Sequence, residues 1–461
     1  MLPTFEPLCT GLIAMEVAAA PRASKAALAQ GQRRRLSALL ATASRSSLYG
    51  PWLQDRDPDQ VALSALPVLP KSTLMARFDE WGIHPEIRLD GLRAFVADPA
   101  RIAQSFLGRY VAWESSGSSG EPGIFVQDAG AMAVYDAIEA LRRPVTQVVR
   151  RLFDPFGLTE RMVFVGATNG HFATTVSVER LRRLNPMLAP TLRQVSFLQP
   201  LERMLAQLQA LSPTSLATYP SMALLLAEQQ QQGRLAIQPR EIWTGGETLT
   251  PAMRQAIGQA FQCPVLNTYG CSEFLSLAFE CRHGRLHLNS DWAILESVDG
   301  QGRAVPPGQP GATSLLTNLA NHVQPIIRYD IGDSVTVHET PCACGSVLPV
   351  IEVMGRDEDL LHLAGSRGRK VTVTPMALST VLESEAGLYD FQLVQQAPRE
   401  LLLRTSRRGK DAQVALHHGQ QVLADFLAGQ GVPQVQIACQ SGAAPRRGRS
   451  GKVKRVIALA A

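Results

Sequence analysis

Between residues 160 and 270 short apolar runs alternate with amphipathic stretches: "RMVFVGA", "SLATY", "EIWTGG" and "PVLNTYG" each read as a strand. The last two bracket "TGGETLTPAMRQAIGQAFQCPVLNTYG", where Met253, Ile257 and Phe261 recur at every fourth position. Such a stripe is one face of a helix, with Thr250 at its N-cap and Pro251 in its first turn. Strand, helix and strand in succession predict a parallel sheet, and ligands gather at the carboxyl ends of parallel strands. The loops at those ends are "GATNGH", "YPS", "GGE" and "YGCSE".

The pattern differs on either side of this region. Residues 24 to 48, dominated by Ala, Leu and Arg, predict a helix, and the Pro-rich stretch that follows, to "LPKSTL", reads as a connector before another short helix. After residue 355, "FQLV", "ELLLR", a helix from about Asp411 to Leu427 and "VQIAC" describe a small α+β unit. The organisation expected is a large N-terminal α/β domain over residues 1–354, a hinge at 355–360 within "GRDEDL", and a small C-terminal α+β domain over 361–461. The run Gln229 to Gln232 reads as an exposed helix end.

Composition narrows the class. In 461 residues, 45% are apolar and 18% charged, the balance of a globular protein too long for one ordinary core. The net charge of +5 comes from scattered clusters such as Arg33 to Arg35, Arg142 with Arg143, Arg150 with Arg151, and "RRGRSGKVKR". They lack interleaved aromatics or a reading motif, so a solvated face or an anionic small-molecule site is expected rather than nucleic-acid binding. Seven cysteines, an odd number spread along the chain, suit a reducing cytoplasm better than a disulfide framework. No apolar run reaches the length of a membrane span, and the acids Glu6 and Glu16 argue against a signal peptide.

The densest chemistry lies in "ESSGSSGEPG". Ser115, Ser116, Ser118 and Ser119 offer hydroxyls, while Gly117 and Gly120 let backbone amides approach an anion closely. The spacing is not that of the lysine-bearing phosphate loop of kinases and GTPases.

"SSGSSGEP" resembles the phosphate loop of the adenylate-forming superfamily. The motifs "TYPS", "GGE", "YGCSE", "IIRYDIGD", "GRDEDL" and "SGKVKRV" follow in the order seen in its phenylacetate–coenzyme A ligase-like branch. The resemblance implies a large adenylate-forming domain with a small mobile lid. It also implies an ATP- and Mg²⁺-dependent ligase that activates a carboxylic acid, in the nearest relatives an aryl acid, as an acyl-adenylate. The acyl group then passes to a thiol, that of coenzyme A first among the candidates. Relatives with the same chemistry form amides, load carrier proteins or transfer AMP to a hydroxyl, and a nucleotide-binding relative without catalysis is a further alternative.

Residue by residue, the resemblance places Gly245, Gly246, Glu247, Gly270 and Ser272 around the nucleotide, with Tyr269 stacked on the adenine. Glu273 would hold Mg²⁺, Asp333 the ribose hydroxyls, and Arg356 the sugar or a phosphate. Lys452 would stand between the attacking carboxylate and the α-phosphate. Glu358 falls at the hinge and Tyr219 at the acyl pocket; His171 falls there too, with a packed or exposed structural histidine as the other reading. The chain departs from the pattern at Glu121, where most relatives carry lysine, so the loop lacks one cation.

A metal site is a separate possibility, with unmetallated, partly buried thiols as the alternative. "ECRHGRLHLNSDW" offers Cys281 with His283 or His287, and "PCACG" offers Cys342 and Cys344, two distant halves such as structural zinc sites use. His287 is favoured because a strand there would turn its side chain toward the cysteine loop. With no base evident nearby, a cysteine nucleophile is not expected.

Overall fold

The computed structural model describes residues 5–115, 122–143, 159–187, 189–354, 360–366, 369–444 and 455–458. A two-stranded hairpin, β1 (Val111–Glu114) and β2 (Ile124–Gln127), comes first among the strands. The central sheet then draws on β3 (Met162–Gly166), β4 (Leu192–Ser196), β5 (Ser215–Thr218), β6 (Glu241–Thr244), β7 (Val265–Cys271), β8 (Phe274–Glu280) and β9 (Leu286–Leu288). A three-stranded meander follows, β10 (Ala293–Val298), β11 (Thr313–Asn318) and β12 (Tyr329–Asp330), and β13 (Ser334–His338) and β14 (Val350–Met354) then complete the central sheet. Its order is β13-β14-β9-β8-β7-β6-β5-β3-β4.

Strands β3 to β7 pair in parallel, joined by the helices Ala173–Leu184, Leu201–Leu211, Pro220–Gln231 and Pro251–Phe261. The last forms as its periodicity predicts: Thr250 Oγ1 accepts the Met253 amide at 3.2 Å, and Ile257 and Phe261 are buried. From β7 onward the sheet turns antiparallel, so "YGCSE" is a β7–β8 hairpin and not a strand-to-helix loop. One apolar core packs the N-terminal helices and the hairpin against the antiparallel half; a second lies beneath the parallel half and continues into the C-terminal domain.

That smaller α+β domain begins with the β15 (Leu361–Ala364) and β16 (Lys370–Val373) hairpin. Its four-stranded sheet adds β17 (Gln392–Ala397), β18 (Glu400–Arg404), β19 (Gln436–Gln440) and β20 (Val456–Ile457), in the order β19-β18-β17-β20. The helices Pro375–Ser384 and Lys410–Gly429 accompany them. Gln430 donates to the carbonyls of Leu198 and Gln199 across the domain boundary, and Arg369 pairs with Glu202.

Three expectations change. The helix predicted for residues 24 to 48 spans Lys25–Ala43, started by Ser24 Oγ on the Ala27 amide. Gln231 and Gln232 are exposed at the helix end as expected, but Gln229 is buried and Gln230 exchanges both amide bonds with the Ile237 backbone, because the chain folds back on this helix end. Of the arginine clusters, Arg33 and Arg34 are exposed, as a solvated face requires, whereas Arg35 lies 3.9 Å over the Trp292 ring and pairs with Glu16, and Arg143 pairs with Glu139.

Arg142 goes furthest. Its guanidinium is buried and donates to the Val17 carbonyl, Asn289 Oδ1 and both oxygens of Asp291, tying the helices Pro7–Ala19 and Ala129–Leu141 to the β9–β10 connection. No helix among the described residues is long and apolar enough to cross a membrane. Asp291→Ala would leave this cation buried without its carboxylate, and should cost about 3–5 kcal/mol in the denaturant unfolding midpoint. A shift under about 1 kcal/mol would show that water reaches Arg142.

Candidate active site and thiolate cluster

A cleft of about 1310 Å³ opens at the carboxyl ends of the parallel strands. Its walls include Ala167 and Phe172 after β3, Tyr219 after β5, the Gly245–Glu247 turn after β6, the Tyr269–Glu273 hairpin and the Tyr329–Asp333 segment. Met376 and Thr380 reach it from the C-terminal domain.

Local geometry explains why these turns carry the residues they do. Gly246 has φ of +79°, and a Cβ there would meet the Tyr219 ring at 3.0 Å. At Gly270 a Cβ would stand 1.8 Å from the Leu275 carbonyl oxygen, so only glycine lets the two hairpin strands close. The Glu247 carboxylate accepts the Ser221 amide at 2.9 Å and its hydroxyl at 3.0 Å, capping the Pro220–Gln231 helix and pinning one loop to the next.

Tyr269 and Asp333 are brought together: the phenol donates to Asp333 Oδ2 at 2.9 Å. Burial, with the Asp333 charge beside it, holds the Tyr269 hydroxyl well above its ordinary pKa, so it stays a donor. Glu273 sits in the turn between β7 and β8, 7% exposed, beside the Tyr329 hydroxyl, whose pKa is likewise raised by burial and by Glu273. The carbonyl of Ser272 accepts the Trp113 indole at 2.8 Å. Ser115 closes the neck of its loop by exchanging bonds with Gly123, its amide donating to the Gly123 carbonyl and its hydroxyl accepting the Gly123 amide.

Ser116, Gly117, Ser118, Ser119 and Gly120, with Glu121, lie outside the described residues, as do Arg356, Glu358 and Lys452. His171 is placed away from the pocket wall. Its ring is fully buried, 5.4 Å from Phe95, and burial lowers its pKa; Phe172, one residue on, faces the cleft instead.

Other residues at the cleft had drawn no attention in the sequence. Lys71, the first residue of the Lys71–Ala76 helix, lines the cleft with its stem against Gly123 at the base of the serine-glycine loop. Glu114, at the end of β1, also lines it.

Behind the wall, the segment "NLANHVQ" supplies a buried amide network. Asn321 Nδ2 donates to the Val126 carbonyl, while Gln324 accepts the Val126 amide and donates to the Ile124 carbonyl, covering the edge of β2. Asn318 Nδ2 donates to the Glu273 carbonyl at 2.8 Å and to the Tyr135 hydroxyl at 2.9 Å. Amides inside an otherwise apolar run were the available signal.

A second cluster lies along the antiparallel half of the sheet. Cys281 follows β8, His287 is central in β9, and Cys342 and Cys344 lie in the β13–β14 connection; their donor atoms all fall within 4.8 Å of one another. The Cys281 and Cys342 sulfurs are 3.8 Å apart, and Cys344 Sγ is 3.3 Å from His287 Nε2. His287 is held by its other nitrogen, Nδ1, 2.8 Å from the Leu348 carbonyl, which turns Nε2 to the sulfurs. The amides of His283 and Ser346 point at Cys281 and Cys344 sulfurs, both at 3.4 Å, whereas the His283 side chain is exposed and outside the cluster.

Comparison with known proteins agrees with this geometry. Residues 190–313 match the family of AMP-binding enzymes. The fold is that of the adenylate-forming ligases. It superimposes on 2-hydroxyisobutyryl-CoA ligase in complex with 2-HIB-AMP and CoA in the thioesterification state with a TM-score of 0.59 at 18% identity, covering 95% of this chain and 91% of that one. The same ligase in its postadenylation state, with R3-HIB-AMP, gives 0.54 at 20% identity, over 96% and 91% of the chains. Protein CapK of Staphylococcus aureus is 31% identical over 164 residues, 35% of this chain; the chain spans about a third (34%) of the length of that curated relative.

Asn318→Ala would leave the Glu273 carbonyl and the Tyr135 hydroxyl without their buried partner. We expect a loss of about 1–3 kcal/mol in urea unfolding. An unchanged midpoint would mean that the network does not hold the hairpin.

Proposed function

We propose that this protein is an ATP-dependent adenylate-forming ligase. A carboxylate attacks the α-phosphate of ATP, giving an acyl-adenylate and pyrophosphate, and a thiol then takes the acyl group and releases AMP. The observation that carries this reading is the convergence of Glu273, the Tyr269–Asp333 pair and the Gly245–Glu247 turn on one cleft of an adenylate-forming fold.

In this reading Tyr269 and Gly246 bound the adenine, and Asp333, oriented by the Tyr269 hydroxyl, accepts the ribose hydroxyls. The serine-glycine loop from Ser115 to Gly120 cradles the outer phosphates. Lys71 faces the base of that loop and supplies positive charge where Glu121 cannot. The Glu273 carboxylate would hold Mg²⁺, which neutralises triphosphate charge when bound. Lys452 offsets the charge developing at the α-phosphate during the first half-reaction, and Arg356 and Glu358 belong to the segment on which the small domain turns.

Phe164, Phe172 and Trp243 on the apolar wall suit an aryl acid, and coenzyme A is the acceptor that fits the thiol reading, with a carrier protein as the other candidate. The Cys281, His287, Cys342 and Cys344 cluster fits zinc. A tetrahedron of ~2.3 Å metal–sulfur bonds spaces its sulfurs about 3.8 Å apart, the separation present between Cys281 and Cys342. Three thiolates and an imidazole leave no open position, so the metal would clamp two hairpins together rather than act on substrate.

Two measurements test the reading. ATP–pyrophosphate exchange across aryl, alkyl and amino acids should depend on one class of acid and vanish in Lys452→Ala while ATP binding persists. Exchange with no acid, or an unchanged rate in that variant, would overturn the assignment. Metal analysis of the purified protein should give about one zinc per chain, and Cys344→Ser should lose it together with several degrees of Tm. Metal-free protein of unchanged Tm would refute the zinc clamp.

A further inference from the structure

We infer that Glu114 is the general base of the second half-reaction, taking the proton from the nucleophile that attacks the acyl-adenylate. This rests on the adenylation reading above.

Among the described residues, every carboxylate that lines the cleft has a partner except one. Asp136 is paired with the buried Arg180, and Glu139 with Arg143. Glu247 caps a helix through Ser221, Asp330 accepts from Thr313, and Asp333 accepts from Tyr269. Glu273 is beside Tyr329 in the position proposed for the metal. Glu114 alone has no cation or hydroxyl beside its carboxylate among the described residues, and the His171 peptide is its only hydrogen-bonding neighbour.

Its place in the fold is specific. Glu114 closes β1, directly before the serine-glycine loop, and its backbone amide donates to the His171 carbonyl at 2.8 Å. Gly170 leaves room for the carboxylate, since a Cβ there would stand 3.2 Å from Glu114 Oε1. Met376 and Thr380 of the C-terminal domain line the same cleft, and Glu383 of their helix is close enough to act on Glu114. A nucleophile entering the cleft between the domains would meet this carboxylate.

The environment matches the task. Burial raises the Glu114 pKa to about 7, the His171 peptide opposes that rise, and the charge of Glu383 adds to it. Glu383 comes from the Pro375–Ser384 helix and is itself paired with Arg455; the His171 ring is turned away to Phe95. A base poised near neutral pH is half available there and strong enough to assist a thiol or amine.

In the step, the sulfur or nitrogen lone pair forms the bond to the acyl carbon while its proton passes to Glu114. The acyl carbon–oxygen bond to phosphate breaks, and AMP leaves with the electron pair. The proton then leaves Glu114 for solvent.

The test separates the half-reactions on the full chain. ATP–pyrophosphate exchange is measured with an acid that supports it, and single-turnover release of the bound acyl group is followed with coenzyme A and, in parallel, hydroxylamine, over about pH 5.5 to 9. We expect wild-type transfer to rise with pH through about 7, as Glu114 ionises. Glu114→Gln should lose that limb and about 10²-fold in transfer rate while exchange stays within about threefold. Glu114→Asp should restore the limb at a lower rate.

Transfer to both nucleophiles at the wild-type rate and pH profile in Glu114→Gln would overturn the role. So would a parallel fall in exchange, which would make Glu114 a residue of adenylation or of folding. Absence of exchange in the wild type would instead remove the adenylation reading on which this role depends.

Discussion

Three buried amide side chains hold the cleft together. The β1–β2 hairpin that carries the serine-glycine loop has only two strands, so the outer edge of β2 would bury backbone amides and carbonyls without partners. Asn321 and Gln324 meet those groups, and Asn318 reaches across to the Glu273 backbone and the Tyr135 hydroxyl. The strand β2 and the turn that carries Glu273 are thus tied to one segment. A buried polar network of this kind is stable only when every member is satisfied, which makes the site rigid where chemistry needs fixed distances.

The remaining architecture follows from that rigid half and a less constrained one. The parallel strands end at the cleft and supply turns, whereas the antiparallel strands supply the Cys281, His287, Cys342 and Cys344 cluster. That cluster joins the β8–β9 and β13–β14 hairpins, and Asp333 lies directly before β13. A metal there would hold the strand that positions the proposed ribose contact, although it never touches the cleft. The C-terminal domain, by contrast, meets the large one through few polar bonds, among them Gln430 to the 198–199 carbonyls and the exposed Arg369–Glu202 pair. The apolar core beneath the parallel half also continues across this boundary, so the two domains share apolar as well as polar contacts.

Charge in the cleft makes its own demand. Among the cleft acids, Asp136 and Glu139 are paired with Arg180 and Arg143, and Asp333 accepts from the Tyr269 hydroxyl. Glu114 has no such partner among the described residues, and burial disfavours its ionised form. This difference in how charge is balanced separates residues that shape the site from one able to move a proton.

Much of this was legible in the chain. The fourfold recurrence of Met253, Ile257 and Phe261, the Thr250 cap, the strands of the parallel half and the run of motifs from "SSGSSGEP" onward are local patterns, and local patterns survive in one dimension. Cys281, His287, Cys342 and Cys344 were also readable, since thiol and imidazole chemistry is confined to few residue types. Tertiary structure decided what depends on contacts between distant segments: that "YGCSE" closes a hairpin, that His171 packs on Phe95 while Phe172 faces the cleft, and that Arg142 is an internal anchor rather than surface charge. It also decided the use of Asn318, Asn321, Gln324, Lys71 and Glu114. An amide, a lysine or a glutamate is usually solvated, and only the packing around it determines when it is buried and which charges and hydrogen bonds it must then satisfy.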